Sequence, residues 1–141
     1  MRELPVLRVY LDSNVLFSAS FKEGSDFRDF WRLRDVTPVV SHYAIGEVSR
    51  NVRSLGHNAR LSELLARTQI VSDADARLIP PYIRVVSKDE PILAAAIAAS
   101  VDYLVTGDKN HFGHLYSKRV SGVYVINPAD FLDMYEDRLP E

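Results

Sequence analysis

The sequence predicts an α/β fold built on a mostly parallel central sheet. Short apolar runs alternate along the chain with segments whose apolar residues recur at helical spacing. The succession of helix, strand and polar turn is typical of parallel α/β sheets. With 141 residues, of which 47% are hydrophobic, the chain can bury one sizeable core. We therefore expect a single domain over residues 1–141.

The first half of the chain carries signals for three strands and three helices. Apolar, β-favouring runs predict strands at residues 7–11, 37–41 and 69–71. Helical spacing predicts a first helix around residues 27–34, where Phe27, Phe30 and Trp31 share a face. A second helix is predicted from a cap at Ser41 to a stop at Gly56, and a third over 59–67.

The second half repeats the alternation after a proline-rich break. Consecutive prolines at 80 and 81 disfavour a helix at that point. An alanine-rich helix is predicted over 91–100, followed by strands at 103–106 and 123–126. Asn127 as cap and Pro128 in the first turn predict a final helix carrying Phe131 and Leu132.

Composition excludes several classes of function. The chain has no cysteine, so disulfides, thiolate nucleophiles and cysteine-bound metals are excluded, and any metal must be bound by oxygen or imidazole. A net charge of −2 disfavours a protein that binds nucleic acid by overall charge alone. No apolar stretch is long enough to span a membrane and the N-terminus resembles no secretory signal, so we expect a cytoplasmic protein.

Four acidic residues stand where a parallel sheet would bring them together. Asp12 and Asp108 directly follow predicted strands, Glu47 lies in the helix after the second strand, and Asp89 lies at the entry of the alanine-rich helix. Because ligands of open α/β sheets bind at the carboxyl ends of the strands, all four can face one edge. Clustered carboxylates repel one another unless a cation neutralises them, and Mg²⁺ or Mn²⁺ prefers oxygen ligands. The pattern therefore predicts a divalent-metal site.

Each acid taken alone also has a purely structural interpretation. Asp12 can cap a helix, Asp108 can be a turn residue, and Glu47 can be a solvated helix residue. Asp89 is ambiguous in a further way, because Asp89 or Glu90 can cap the helix that begins near residue 91. The choice between these two as the third acid stays open at this level.

The acids lie in segments that resemble the PIN-domain family of metal-dependent nucleases, in particular members treated as toxins of toxin–antitoxin pairs. Four segments carry the resemblance: VYLDSNVLFSA at 9–19, VVSHYAIGEVSRNV at 39–52, KDEPILAAAIAASVDYLVTGDKNHF at 88–112 and VYVINPADFL at 123–132. The resemblance implies a three-layer α/β/α sandwich. It also implies that Asp12, Glu47, Asp89 and Asp108 form an acidic quartet, supported by Ser13, Asn14 and Thr106.

The same resemblance implies an activity and its partners. It implies hydrolysis of phosphodiester bonds in single-stranded or loop RNA, leaving a 5′-phosphate, with one or two Mg²⁺ or Mn²⁺ ions. An antitoxin protein and a homodimer are the partners that the family suggests. Basic side chains near the quartet are candidates for holding flanking RNA phosphates: Arg50, Arg53, Lys109, Lys118 and Arg119.

The segment after Asp108 departs from the family pattern. Many relatives carry a further acid there, whereas this chain has Asn110 and His111. His111 and His114 have helical spacing, but no third zinc ligand is evident in the sequence, so we predict no metal role for them.

Two other functions are compatible with parts of the pattern. The first is a magnesium-dependent small-molecule phosphohydrolase with Asp12 as nucleophile. Enzymes of the haloacid-dehalogenase type usually carry a second aspartate two residues later, where this chain has Asn14. The second is a catalytically weak PIN-like module that binds RNA or protein, although such a module has no reason to keep mutually repelling carboxylates together.

Overall fold

The computed structural model describes residues 5–141, which form one six-stranded sheet and its covering helices. The strands are β1 (Leu7–Leu11), β2 (Val36–Ser41), β3 (Gln69–Val71), β4 (Tyr103–Val105), β5 (Arg119–Val120) and β6 (Val123–Ile126). The α-helices are α1 (Ser13–Phe21), α2 (His42–Ser49), α3 (Leu55–Leu65), α4 (Glu90–Ala98), α5 (Lys109–Phe112) and α6 (Pro128–Met134). Short 3₁₀ helices span Asp26–Trp31, Ala76–Leu78, Ser87–Asp89, Gly113–Leu115 and Glu136–Arg138.

The order of the strands creates a binding edge beside β1. The sheet runs β3-β2-β1-β4-β6-β5, and every pairing is parallel except that of β5 with β6. After β1 the chain builds β2 and β3 on one side and then crosses to β4 on the other. The carboxyl ends of β1 and β4 therefore adjoin the switch point, where open α/β sheets usually bind ligands.

Apolar layers cover both faces of the sheet. On one face Tyr10 and Leu104 pack with Ile92 of α4, all with no solvent exposure. On the other face Val9 and Leu11 pack in a cluster that also draws on α1, α3 and α6. Because successive strand residues point to opposite faces, β1 supplies both layers. This arrangement confirms the predicted α/β/α sandwich with a mostly parallel sheet.

Helix boundaries around α2 and α3 differ from the prediction. The sequence predicts one helix up to Gly56, but α2 ends at Ser49 and α3 begins at Leu55. The Oγ atom of Ser54 accepts a hydrogen bond from the backbone N–H of His57 at 3.0 Å, which caps α3 at its start. Leu55 is consequently 90% exposed, so the predicted apolar stripe was wrong at its last member.

Other elements agree with the prediction or refine it. The segment around residues 27–34 forms a 3₁₀ helix over Asp26–Trp31, while β3 and β6 lie where the sequence predicts them. The side chain of Asn127 caps α6 by accepting a hydrogen bond from Asp130 N at 2.9 Å. The short antiparallel β5 was not predicted. Within residues 5–141, no helix combines the length and the apolar character needed to cross a membrane.

Candidate metal centre

Four acids from distant parts of the chain line one cavity of about 490 Å³ at the carboxyl edge of the sheet. The residues that line it are Asp12, Ser13, Asn14, Phe17, Ser18, Glu47, Val48, Asn51, Lys88, Asp89 and Asp108. All four acids that the sequence singles out are present, together with Ser13 and Asn14. The convergence that we expected at this edge is therefore seen in the structure, and the roles of these residues in catalysis stay a prediction.

Asp12 is held in place by hydrogen bonds to both of its carboxylate oxygens. It is the N-cap of α1, and its Oδ1 accepts from the backbone N–H of Ser13 at 2.7 Å. Its Oδ2 accepts from Nδ2 of Asn14 at 3.1 Å and from Oγ1 of Thr106 at 2.7 Å. Only 3% of Asp12 is exposed, so the capping role suggested by the sequence coexists with a place in the cavity.

The electrostatic environment of Asp12 disfavours its negative charge. Burial raises the pKa of Asp12 from 3.8 to about 6, even though the hydrogen bonds from Thr106 and Ser13 lower it. The nearby carboxylates of Asp89 and Glu47 raise this pKa further. A cation in the cavity would offset both the burial and the repulsion.

Thr106 and Asn14 join the two turns that carry Asp12 and Asp108. The hydroxyl of Thr106 donates to Asp12 and accepts from the backbone N–H of Asp108 at 3.1 Å. The Oδ1 atom of Asn14 accepts from the backbone N–H of Gly107 at 2.9 Å. A Cβ atom at position 107 would lie 3.1 Å from that same Oδ1, so glycine permits the close approach of the two turns. Both supporting residues thus fix the spacing between the two aspartates.

Glu47 reaches the cavity from the second turn of α2. Its Oε1 accepts a hydrogen bond from Oγ of Ser13 at 3.0 Å, which links it to the end of β1. The start of α2 is fixed by Ser41, whose Oγ caps Ala44 N and lies 2.6 Å from the hydroxyl of Tyr10. Since both Ser41 and Tyr10 are fully buried, the helix has one position relative to the sheet.

The structure shows which of the two adjacent acids, Asp89 or Glu90, lines the cavity. Asp89 is 6% exposed and lines the cavity, and its side chain makes no capping hydrogen bond to α4. Glu90 is the first residue of α4 and does not line the cavity. The Oδ2 atom of Asp89 is buried and has no hydrogen-bond partner among residues 5–141. The hydroxyl of Tyr43 on α2 donates to the carbonyl of Lys88 at 2.6 Å and holds this segment beside Glu47.

Asp108 brings a histidine into the site. It is the N-cap of the short helix α5, and its Oδ1 accepts from the backbone N–H of His111 at 3.2 Å. The Nδ1 atom of His111 lies 2.9 Å from Oδ2 of Asp108 and 2.6 Å from Oδ2 of Asp89. One potential ligand atom from each of these three residues lies within 4.8 Å of the others.

Two residues of this region were missed in the sequence. His111 was paired there with His114, but the Nε2 atom of His114 contacts the carbonyl of Arg84 at 2.6 Å instead. The signal for His111 was its i,i+3 spacing from Asp108 at a helix start. Lys88 lines the cavity and brings a positive charge to it, and its only signal was its position before Asp89.

The basic residues predicted to hold RNA lie outside the cavity lining. Arg53 donates to the carbonyl of Arg50, and the guanidinium of Arg119 lies 5.4 Å from the ring of Tyr124. Lys109 begins α5 directly after Asp108, and Lys118 is exposed. A role of these residues in binding RNA stays a prediction.

The chemistry of the cavity fits a divalent cation. Its potential ligands are carboxylate oxygens, which suit Mg²⁺ and Mn²⁺. The buried Oδ2 of Asp89 accepts no hydrogen bond from residues 5–141 and lies 2.6 Å from His111 Nδ1, so a positive charge next to it would stabilise it. The predicted ligands of such an ion stay Asp12, Glu47, Asp89 and Asp108.

Replacing Thr106 by valine should raise the pKa of Asp12 above its value of about 6. The substitution removes the 2.7 Å hydrogen bond to Oδ2 and keeps the side-chain shape. We expect a rise of about one pH unit, since a hydrogen bond to a charged group contributes about 1.5 kcal/mol. An NMR titration of the Asp12 carboxyl carbon in metal-free protein measures this pKa. Thr106→Ser, which keeps the hydroxyl, should leave it unchanged, and equal values for all three proteins would contradict the prediction.

The protein has an open, mostly parallel α/β sheet, and acidic side chains converge at the switch point of that sheet. It is therefore an α/β protein with a candidate divalent-cation centre at the carboxyl edge of the sheet. A sequence profile described as the PIN domain matches residues 8–110. This match covers more than half of the chain, and the chain belongs to the PIN domain family. No curated protein sequence matches it significantly.

Two solved structures are similar to this chain in fold. One is the crystal structure of VapBC2 from Rickettsia felis bound to a DNA fragment from their promoter, with a TM-score of 0.61 and 17% identity over 86% of this chain and 98% of that chain. The other is PAE2754 from Pyrobaculum aerophilum, with a TM-score of 0.61 and 16% identity over 94% of this chain and 91% of that chain. At these identities the likeness concerns the fold alone.

Proposed function

We propose that this PIN-domain protein is a divalent-metal-dependent endoribonuclease. The observation that carries the proposal is the convergence of Asp12, Glu47, Asp89 and Asp108 on one cavity. These acids come from separate elements, and burial with mutual repulsion raises the pKa of Asp12. Such an arrangement is costly without a cation, and a bound cation can activate water for phosphodiester hydrolysis at neutral pH.

Different residues of the chain have different roles in the proposed reaction. When bound, one or two Mg²⁺ or Mn²⁺ ions supply Lewis acidity to the phosphate and activate water. Asp12, Asp89 and Asp108 would hold the ion through their carboxylates, with Glu47 as a further ligand or a water-orienting group. The hydroxyl of Ser13 donates a hydrogen bond to Oε1 of Glu47. The other oxygen, Oε2, is therefore the atom that orients water and accepts a proton. Lys88 at the cavity wall can attract a flanking phosphate.

The substrate and partners follow from the family resemblance. We propose single-stranded or loop RNA as the substrate, with products that carry a 5′-phosphate. We also propose an antitoxin protein as a partner, by analogy with the VapBC2 structure, which holds a promoter DNA fragment. A homodimer is a further proposal that rests on the family resemblance, and a cytoplasmic location is one that rests on the sequence.

We expect the purified protein to cut RNA with Mn²⁺ or Mg²⁺ and to stop cutting when excess EDTA removes the ion. The physical reason is that without the ion the cavity repels the phosphate. Gel analysis of an end-labelled RNA measures cleavage, and digestion by a 5′-phosphate-dependent exonuclease identifies the product ends. Restoring Mn²⁺ should restore activity. Cleavage that persists in EDTA would contradict a metal-dependent mechanism.

The same preparation separates the two competing functions. Phosphate release from p-nitrophenyl phosphate without RNA cleavage would favour the small-molecule phosphohydrolase. In that mechanism Asp12 is the nucleophile, but here both of its oxygens already accept hydrogen bonds from Ser13, Asn14 and Thr106, which weakens its nucleophilicity. RNA binding without turnover would favour a catalytically weak binding module.

A further inference from the structure

The imidazole of His111 lies next to two of the acids that line the cavity, Asp89 and Asp108. Its Nδ1 atom lies 2.6 Å from Asp89 Oδ2 and 2.9 Å from Asp108 Oδ2. At neither contact are the atoms oriented as in a hydrogen bond. The Nδ1 atom is buried and has no hydrogen-bond partner among residues 5–141. Three potential ligand atoms thus lie around one point, at the distances of an ion pair.

Asp89 independently points to a ligand at this place. Its side chain is 92% buried, because only 8% of its surface is exposed, and its Oδ2 has no hydrogen-bond partner in the described part of the chain. A buried carboxylate oxygen in this state is unfavourable unless a positive charge lies next to it. His111 Nδ1 lies 2.6 Å from this oxygen, so the two atoms face the same point.

The backbone around His111 fixes the direction of its ring. Asp108 caps the start of α5 through the N–H of His111, and the next residue, Phe112, is fully buried in the core. His114, only three residues further, is exposed and contacts the carbonyl of Arg84. His111 therefore lies next to two acids of the cavity although it is not part of the cavity lining, whereas His114 is directed to Arg84.

We propose that His111 is a nitrogen ligand of the divalent ion, together with Asp89 and Asp108, and that it makes the site prefer transition-metal ions such as Mn²⁺ over Mg²⁺. The inference rests on the proposed metal-dependent function and concerns the same site. Imidazole suits transition metals, whereas Mg²⁺ strongly favours oxygen, so one nitrogen donor shifts the preference.

The direct test is pulsed EPR of Mn²⁺ bound to the metal-free purified protein. The wild type should show the nitrogen coupling of a directly coordinated imidazole, and ¹⁵N-labelling of histidine should change that coupling. His111→Asn should abolish it, whereas the matched variant His114→Asn should retain it. No imidazole coupling in the wild type, or a coupling that persists in His111→Asn, would overturn the proposal.

Ion affinity gives a second, independent measurement. We expect His111→Ala to weaken Mn²⁺ binding by at least about tenfold, measured by calorimetry. His111→Asn replaces the nitrogen donor by an oxygen, so the ratio of Mn²⁺ to Mg²⁺ affinity should fall by about tenfold. Far-ultraviolet circular dichroism checks that each variant folds. If His111 is instead a protonated partner that neutralises Asp89 and Asp108, its removal leaves Mn²⁺ binding equal or tighter, which would overturn the proposal.

The failure of this inference is distinguishable from the failure of the nuclease function. If the protein shows the imidazole coupling but cuts no RNA, His111 is a ligand and the proposed nuclease activity is wrong. If the protein cuts RNA with bound Mn²⁺ but shows no imidazole coupling, the nuclease activity is supported and His111 is not a ligand.

Discussion

Asp12→Asn should nearly abolish RNA cleavage and yet make the metal-free protein more stable. We expect cleavage to fall on the order of a thousandfold, because the ion loses a carboxylate at the centre of the site. We expect the free energy of unfolding without metal to rise by about 1 to 2 kcal/mol at pH 7.5. Opposite effects on activity and stability are the signature of a charge kept for function.

The gain in stability follows from the raised pKa of Asp12. A folded-state pKa of about 6, against an ordinary value of 3.8, means that ionising Asp12 costs about 3 kcal/mol more in the folded protein. Between these two pH values the folded state binds the extra proton, so the stability of the wild type falls as pH rises through this window. The expected gain is smaller than 3 kcal/mol because the asparagine amide cannot accept every hydrogen bond that the carboxylate accepts.

Thermal and urea unfolding from pH 3.5 to pH 8, in the presence of EDTA, measure this effect. The difference between Asp12→Asn and wild type should be small near pH 4 and reach its full value above about pH 6. Saturating Mn²⁺ should reverse the order by stabilising the wild type more. Asp133→Asn, at an exposed position of α6, is the matched control and should change neither property. Equal cleavage by wild type and Asp12→Asn would show that Asp12 has no role in catalysis.

The sequence identified the acids because their positions depend on local pattern. Asp12 and Asp108 follow strands, and in a parallel sheet the ends of neighbouring strands meet at one edge whatever the details of packing. Glu47 could be identified because it lies off the apolar stripe of its helix. These inferences need only the periodicity of strands and helices, which the sequence displays directly.

His111 and Lys88 could not be assigned because their environment depends on packing between distant segments. The contact of His111 with Asp89 joins residues 22 positions apart, and it depends on how the start of α4 lies against α5. A single sequence shows the i,i+3 spacing of His111 to both Asp108 and His114, with no basis for choosing between them. The boundary between α2 and α3 was missed for a local reason, because the cap at Ser54 outweighs the continuing apolar pattern.

Asp89→Asn and Glu90→Gln form a pair of adjacent substitutions with opposite expected outcomes. The sequence left open which of the two acids belongs to the site. In the structure Asp89 is buried in the cavity, and its side chain makes no capping hydrogen bond, whereas Glu90 lies outside the lining. We expect Asp89→Asn to lower cleavage on the order of a thousandfold and to weaken Mn²⁺ binding by at least about tenfold.

Glu90→Gln should retain cleavage within about threefold of the wild type, because it removes one negative charge next to the site but no ligand. The comparison cancels the general effect of lowering the negative charge at the start of α4, since both variants lose one charge there. Cleavage rates and Mn²⁺ affinities of the two variants, measured side by side, decide the question. A larger loss in Glu90→Gln than in Asp89→Asn would mean that the start of α4 turns a different side chain toward the ion. In that case the unpartnered oxygen of Asp89 would need another explanation.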